Sequence, residues 1–216
     1  MAEHRLEGRR AVLVGTADAG LIESTLDALH GAGAEAEVVA AEDLGATSGF
    51  DICICFARPP SREPLATTDP DTLADHVAEA LSVPQRIVTS AARTMAAAGG
   101  GAIVIVGSLD ATHAYPRRAA ASIAMGGLLG LVRAIAVEMS GAHVRANLIL
   151  AGPMQGPVDE RTLLRSPLGR LATAEEVAGA VRFLAGPDSD FMTGQAMRVD
   201  GGWASLNQAP DGMRFR

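Results

Sequence analysis

Short apolar runs alternate along the chain with longer stretches in which apolar residues recur at helical spacing. The runs predict strands at Ala11–Val14, Ala36–Val39, Asp51–Phe56, Ala102–Val106, Val144–Leu150 and Ala196–Asp200. The stretches predict helices at Leu21–Leu29, Asp71–Ala97, Ala119–Met139 and Thr173–Ala185. Asp51–Phe56 is apolar throughout after its first residue, which is typical of a parallel strand covered on both faces. The alternation predicts an α/β protein with a doubly wound parallel sheet.

The connection between the second and third predicted strands is short. Only about ten residues separate Ala40 from Asp51, whereas a parallel crossover through a helix normally needs a dozen or more. Ten extended residues reach roughly 33 Å, which is enough to cross the sheet as a loop. We therefore expect a bare loop here.

Length and composition predict one globular domain over residues 1–216, with short polar tails at 1–9 and 205–216. The net charge of −7 disfavours a nucleic-acid partner. The N-terminus lacks the apolar core of a signal peptide, and the longest apolar run, Gly126–Met139, is too short to span a bilayer and is interrupted by Arg133. We expect a cytoplasmic protein without a membrane partner. The histidines and the two cysteines show no ligand spacing, so we expect no metal site.

Two C-terminal segments carry a family resemblance. Pro167–Gly186 reads PLGRLATAEEVAGAVRFLAG, and Met192–Trp203 reads MTGQAMRVDGGW. In these segments, and in the order of its predicted elements from Ala11 to Trp203, the chain resembles the short-chain dehydrogenase/reductase family. The resemblance implies a Rossmann-like fold. The short connection implies that the family's edge helix, strand and helix on the adenosine side are shortened or missing.

The glycine-rich turn departs from the family pattern. The family motif is Thr-Gly-xxx-Gly-x-Gly, in which the glycines let the backbone approach a pyrophosphate at a helix N-terminus. Here Gly15 matches the first glycine, Gly20 is displaced by one position and Leu21 replaces the third. A carboxylate at Asp18 would also repel a bound pyrophosphate.

The cleft-lining motif of the family, Asn-Asn-Ala-Gly, corresponds to Cys55–Arg58, where only the alanine matches. Arg58 places a long side chain in the cleft, although its guanidinium could grip a phosphate. We therefore expect that NAD(P) binding is lost and that the chain has no cofactor. A further hypothesis is that Gly15, Gly20 and Arg58 retain weak nucleotide binding in a sensor.

The catalytic tetrad implied by the resemblance is Asn, Ser, Tyr and Lys. Ser108 matches the serine, but Ala80, Ala121 and Met125 stand at the asparagine, tyrosine and lysine positions. Neither alanine nor methionine can exchange a proton near neutral pH. The pattern indicates a catalytically degenerate member of the family.

The segments that pair subunits in the family keep their full length. The helix Ala119–Met139 is also rich in small residues, including Ala120 and Ala124, which favours a second buried face. The resemblance implies a homo-oligomer, or a hetero-oligomer with a catalytically complete paralogue. The chain would then be a non-catalytic supporting subunit of a heteromeric reductase or dehydrogenase, a class whose substrates include acyl thioesters.

The alternative is a cofactor-independent enzyme that performs elimination, addition or cyclisation in the family's cleft. Ser108, Asp110, His113 and Tyr115 lie close together in sequence after a predicted strand. His113 or Tyr115 could replace the missing base. Such a group is also typical of a solvated turn.

Overall fold

The computed structural model describes residues 5–154 and 166–205. Six parallel strands form one sheet in the order β2-β1-β3-β4-β5-β6. The strands are β1 (Arg10–Gly15), β2 (Glu35–Val38), β3 (Ile52–Phe56), β4 (Gly101–Ser108), β5 (Val144–Ala151) and β6 (Ala196–Val199). The main helices are α1 (Ala19–His30), α2 (Pro70–Ala98), α3 (Ala119–Glu138) and α4 (Ala174–Ala185). The predicted bounds agree with these to within two residues, and the α/β doubly wound fold is confirmed.

Alternate residues of the central strands point to opposite faces of the sheet, and each face is covered by helices. Val12 and Val14 of β1 pack into the cluster that includes α2 and α3. Ala11 and Leu13 pack into the cluster that includes α1 and α4. All five residues of β3 are buried, because this strand lies between β1 and β4 under both layers. Its continuous apolar run is therefore explained.

The connection 39–51 contains no helix or strand, as its length predicted. Leu44 and Phe50 anchor it, since both are buried in the cluster that includes α2 and α3. The loop thus packs on the same face as α2, and β2 is left as the edge strand.

Helix α3 has the length and hydropathy of a membrane-spanning helix. A core helix passes the same test, and α3 packs against α2 and β5. Its outer face nevertheless carries exposed apolar residues, Ile123 at 52% and Val137 at 77%. The apolar composition of α3 therefore has two sources, the core on one face and an uncovered surface on the other.

Candidate functional site

The turn after β1 requires glycine at its first position. Gly15 has φ +104°, and a Cβ there would lie 2.3 Å from the carbonyl oxygen of Phe56. The amide of Thr16 donates to the same oxygen at 3.3 Å. The carboxyl ends of β1 and β3 therefore approach so closely that no side chain fits between them.

The N-terminus of α1 is capped by its own acidic residue. The Asp18 carboxylate accepts a hydrogen bond from the amide of Gly20 at 3.0 Å. Gly20 thus lies in the first turn of α1 and not in the preceding turn. The amides of Ala17 and Ala19 form no hydrogen bond within the part of the chain that the structure describes. These two donors remain available to an anion, but the carboxylate beside them opposes one.

A first cavity of about 540 Å³ opens at the carboxyl ends of β1, β3, β4 and β5. This edge of a parallel sheet is where such folds bind ligands. The residues of its wall are Thr16, Ala17, Asp18, Ala19, Leu21, Phe56, Ala57, Arg58, Pro59, Val106, Gly107, Ser108, Ala151, Gly152 and Met154.

A second cavity of about 670 Å³ lies between the segment after β3 and the first half of α2. Thr16, Phe56, Arg58 and Pro59 line both cavities, so the two adjoin. The other residues of its wall are Gly15, Pro60, Ser61, Arg62, His76, Glu79, Ala80, Val83, Pro84 and Arg118. Together the cavities form a cleft with Arg58 at its junction.

Ser108 is held by a buried ionic network. Its hydroxyl donates to Asp110 Oδ2 at 2.5 Å, and Arg118 donates to both oxygens of the same carboxylate, at 2.9 and 2.5 Å. The side chains of Asp110 and Arg118 are 4% and 14% exposed. Ser108 also lines the first cavity, so this network reaches the cavity wall. The sequence did not predict this ion pair, because an acidic and a basic residue eight positions apart in a loop have no fixed spacing that indicates contact.

Apolar side chains fill the positions where the resemblance places tyrosine and lysine. Ala121 and Met125 are 0% and 1% exposed and lie one turn apart on α3. A Cβ on Gly107 would lie 3.2 Å from Met125 Sδ, so the thioether packs directly against β4. Neither residue lines the two cavities, whereas Ala80, at the asparagine position, lines the second.

His113 and Tyr115 lie after β4 but outside the walls of both cavities. The His113 ring nitrogens lie 3.1 Å from the carbonyl oxygen of Ala204 and 3.0 Å from Thr112 Oγ1. Tyr115 is half-buried and packs against the cluster that includes α2 and α3. Neither residue lines the cleft, and their catalytic role stays a prediction.

The cysteines are part of the core. Burial raises the pKa of the Cys53 thiol to about 12 and that of Cys55 well above its usual value. Protonated buried thiols are neither ligands nor nucleophiles. Among the described residues, no group of three or more His, Cys, Asp and Glu side chains could hold a metal ion.

The outer face of α3 differs from the one that the small residues suggested. Ala120 and Ala124 are 7% and 0% exposed, because they face the chain's own core. Ile123, Ala134 and Val137 lie on the exposed face. A helix that is apolar on nearly all sides gives no sequence signal for which face is inside.

A family model described as Enoyl-(Acyl carrier protein) reductase matches residues 31–204. The chain belongs to the short-chain dehydrogenase/reductase family. The 3-oxoacyl-[acyl-carrier-protein] reductase MabA of Mycobacterium avium is 37% identical over 125 residues, 54% of this chain and 49% of that protein. The cis-4-hydroxycyclohexanecarboxylate dehydrogenase of Sinomonas cyclohexanicum is 37% identical over 124 residues, 54% of this chain and 50% of that protein. These matches span about half the length of each relative.

Solved structures match nearly the whole chain. A chain from Beutenbergia cavernae described as an NAD(P)-dependent gluconate 5-dehydrogenase, with bound NADP at low occupancy, has a TM-score of 0.84 and 25% identity. The match covers 93% of this chain and 98% of that one. A 2-deoxy-D-gluconate 3-dehydrogenase from Agrobacterium tumefaciens, with bound NADP, has a TM-score of 0.82, 25% identity and the same coverage.

These similarities contradict the prediction that NAD(P) binding is lost. Chains with bound NADP share the fold over 93% of this chain. The prediction was wrong because it weighed the altered residues of the glycine turn, of Cys55–Arg58 and of the adenosine side, and not the shape of the cleft. The cleft is also formed by the carboxyl ends of four strands, where the first cavity is open in this chain. The close approach of the Gly15 backbone to the Phe56 carbonyl is kept as well.

Proposed function

We propose that this chain is an NAD(P)-binding member of the family that carries out no proton transfer itself and supports a catalytically complete paralogue. The observation that carries the proposal is the pair Ala121 and Met125. They are buried where the resemblance places the tyrosine and lysine, while the adjoining cleft remains open.

The residues of the first cavity fit a dinucleotide. Gly15 has no side chain, so a ligand can approach the backbone of the turn closely. The N–H groups of Ala17 and Ala19 form no hydrogen bond among the described residues and can donate to a phosphate. Arg58 lines both halves of the cleft, where its guanidinium can bind a pyrophosphate bidentately. A bound nicotinamide cofactor supplies hydride-transfer chemistry. The part of this chain is to hold and orient it.

Proton transfer has no carrier in this chain's cleft. A methyl group and a thioether exchange no proton at neutral pH, and the Ser108 proton is directed to Asp110. The cleft therefore favours binding over reduction.

The exposed apolar face of α3 supports an assembly role. Ile123 and Val137 are uncovered in the single chain, and a stable interface normally buries such residues at its centre. The family model and MabA are both named for acyl-carrier-protein substrates. We propose that the paralogue reduces acyl thioesters and that this chain completes its assembly.

Calorimetric titration of the full chain with NADPH tests the binding part. We expect a dissociation constant below about 100 μM, roughly −5.5 kcal/mol. Absence of heat up to millimolar NADPH would refute it.

Turnover of a 3-oxoacyl thioester tests the supporting part. The chain alone should oxidise no NADPH, and the complex with a complete paralogue should. Turnover by the isolated chain would refute the supporting role even if NADPH binds.

A further inference from the structure

The outer edge of β2 is open to a further strand. Glu35 and Val39 donate their amides to β1, so Ala36 and Val38 direct their backbone groups away from the sheet. His30 Nε2 lies 3.0 Å from the Ala36 carbonyl oxygen, and the other three outward groups form no hydrogen bond among the described residues. Val38 itself is 55% exposed. An edge of this kind is a template for an added strand.

The same edge of the sheet is strongly acidic. Residues 10–57 contain eight acidic residues and one basic residue, so their net charge with His30 neutral equals the −7 of the whole chain. On β2, the side chains of Glu35 and Glu37 are 84% and 57% exposed and lie 4.0 and 3.7 Å from the Arg10 guanidinium. That guanidinium also donates to two carbonyl oxygens of the connection after β2. Two carboxylates therefore share one cation, and the edge favours a basic partner.

The two faces of β2 ask for different side chains in that partner. Neighbouring residues of a strand point to opposite faces, so Glu35 and Glu37 share one face and Ala36 and Val38 share the other. Ala36 packs against the cluster that includes α1 and α4. A strand that pairs with β2 should therefore alternate basic residues with apolar ones.

One segment of this chain has that alternation. Residues 213–216, which lie outside the described residues, read Met-Arg-Phe-Arg and are called the arginine segment below. In an extended strand both arginines would lie on one face, beside the two glutamates of β2. The methionine and the phenylalanine would lie on the other face, beside Val38.

The arginine segment of the same chain could reach β2 only at the limit of its length. Ser205, the last described residue, follows β6, which lies at the opposite edge of the sheet from β2. Five strand spacings separate these edges by about 24 Å, and the eight residues from Ser205 to Met213 span at most about 27 Å. Such a straight path would cross the mouth of the first cavity, at the carboxyl ends of the strands between. A second copy of the chain has no such constraint.

We propose that the arginine segment of a second copy adds a strand to the edge of β2, and that two copies exchange these segments. A reciprocal exchange closes a dimer with two-fold symmetry. Direct pairing of two β2 strands is disfavoured, because it would bring the glutamates of both copies together. The edge of β2 is separate from α3, which packs against α2 and β5, so this contact does not depend on the proposed function.

A mixing experiment with two charge-reversed full chains tests the proposal. The strand variant carries Glu35→Lys with Glu37→Lys, and the segment variant carries Arg214→Glu with Arg216→Glu. In sedimentation velocity over a concentration series, each variant alone should self-associate at least about tenfold more weakly than wild type, because like charges then face each other across the strands. An equimolar mixture should regain the wild-type association, because each segment then meets opposite charges on the other copy.

The control is Glu23→Lys with Asp27→Lys, which makes the same charge change on the exposed side of α1. This control should self-associate like wild type, and equal weakening in it would show unspecific charge attraction and overturn the proposal. A wild type that stays monomeric, or a segment variant that associates as wild type does, also overturns it. If the mixture stays dissociated, while one chain with all four reversals associates as wild type does, the segment does not cross between copies and the proposal fails.

A labelled peptide of residues 206–216 tests strand pairing without altering the fold. The segment variant is the receptor, and fluorescence anisotropy measures binding. A peptide with Arg214→Phe and Phe215→Arg keeps the composition and the charge but breaks the alternation, so it should bind at least about tenfold more weakly than the native peptide. Equal binding of the two peptides would show that charge alone holds the segment, and the added strand would be refuted.

Discussion

Replacing Asp18 by asparagine should tighten dinucleotide binding. The Asp18 carboxylate caps α1 through the amide of Gly20 and lines the first cavity. A pyrophosphate held by the amides of Ala17 and Ala19 would occupy the same end of the helix. The carboxylate and the pyrophosphate, both negatively charged, would then lie on neighbouring amides of the same helix end. Asparagine keeps an oxygen for the cap and removes the charge, and the two residues cap helices about equally well.

The size of the gain follows from Coulomb's law. The cap oxygen lies 3.0 Å from the Gly20 amide, so a phosphate oxygen on the neighbouring amides would lie about 5 to 6 Å from it, given ordinary hydrogen-bond lengths. Because Asp18 is exposed, a water-like dielectric applies, which gives about 0.7 kcal/mol per unit charge and about 1 to 1.5 kcal/mol for a pyrophosphate. We expect NADP to bind about five- to tenfold more tightly.

Calorimetric titration with NADP at low and high salt measures this effect. The gain should shrink at high salt, since the repulsion between exposed charges is screened. Asp27→Asn is the matched control, because it removes the same charge from the exposed side near the other end of α1 and should leave the affinity unchanged. If Asp18→Asn binds NADP no more tightly than wild type, the pyrophosphate does not lie at this helix end.

Three further substitutions test the core and the outer face of α3. Ile123→Glu should leave the chain folded but prevent its assembly with the paralogue, measured by size-exclusion chromatography. Leu65, which is 64% exposed on another part of the surface, is the control, and Leu65→Glu should not prevent assembly. If both variants assemble equally, the outer face of α3 is not the interface. Met125→Lys should lower the free energy of unfolding by about 2 to 5 kcal/mol, because it buries an unpaired ammonium group against β4. An unchanged denaturation midpoint would show that the lysine side chain at this position reaches water. Arg118→Met should cost about 3 to 5 kcal/mol, since it leaves the Asp110 carboxylate buried without its ion pair, and a loss below 1 kcal/mol in the same assay would show that water solvates that carboxylate.

The sheet could be predicted from the sequence because its signals are local. The uninterrupted apolar run of β3 indicated burial on both faces, and the short stretch before Asp51 excluded a crossover helix. Thr173 and Glu176 have the three-residue spacing of a capping box at the start of α4, and both of its hydrogen bonds are present.

The site could be predicted only in part, because its properties depend on contacts between distant segments. The family resemblance identified Ala121 and Met125 as the residues at the tyrosine and lysine positions. The ion pair between Asp110 and Arg118 became visible only in the folded structure of the loop. The cavity beside Arg62 exists because the segment after β3 lies against α2. The cofactor prediction failed for the same reason, since departures from the glycine motif and from the cleft-lining motif do not report the shape of a cleft built from four strand ends.

The most direct test of the central claim measures the rate of NADPH oxidation by a complex of this chain with its paralogue from the same genome. The paralogue, otherwise complete, carries phenylalanine in place of its catalytic tyrosine. If this chain binds cofactor but transfers no proton, turnover of the acyl thioester should fall to background while NADPH still binds to the complex. Turnover that persists in this complex, from a cleft that contains Ala121 and Met125, would contradict the account.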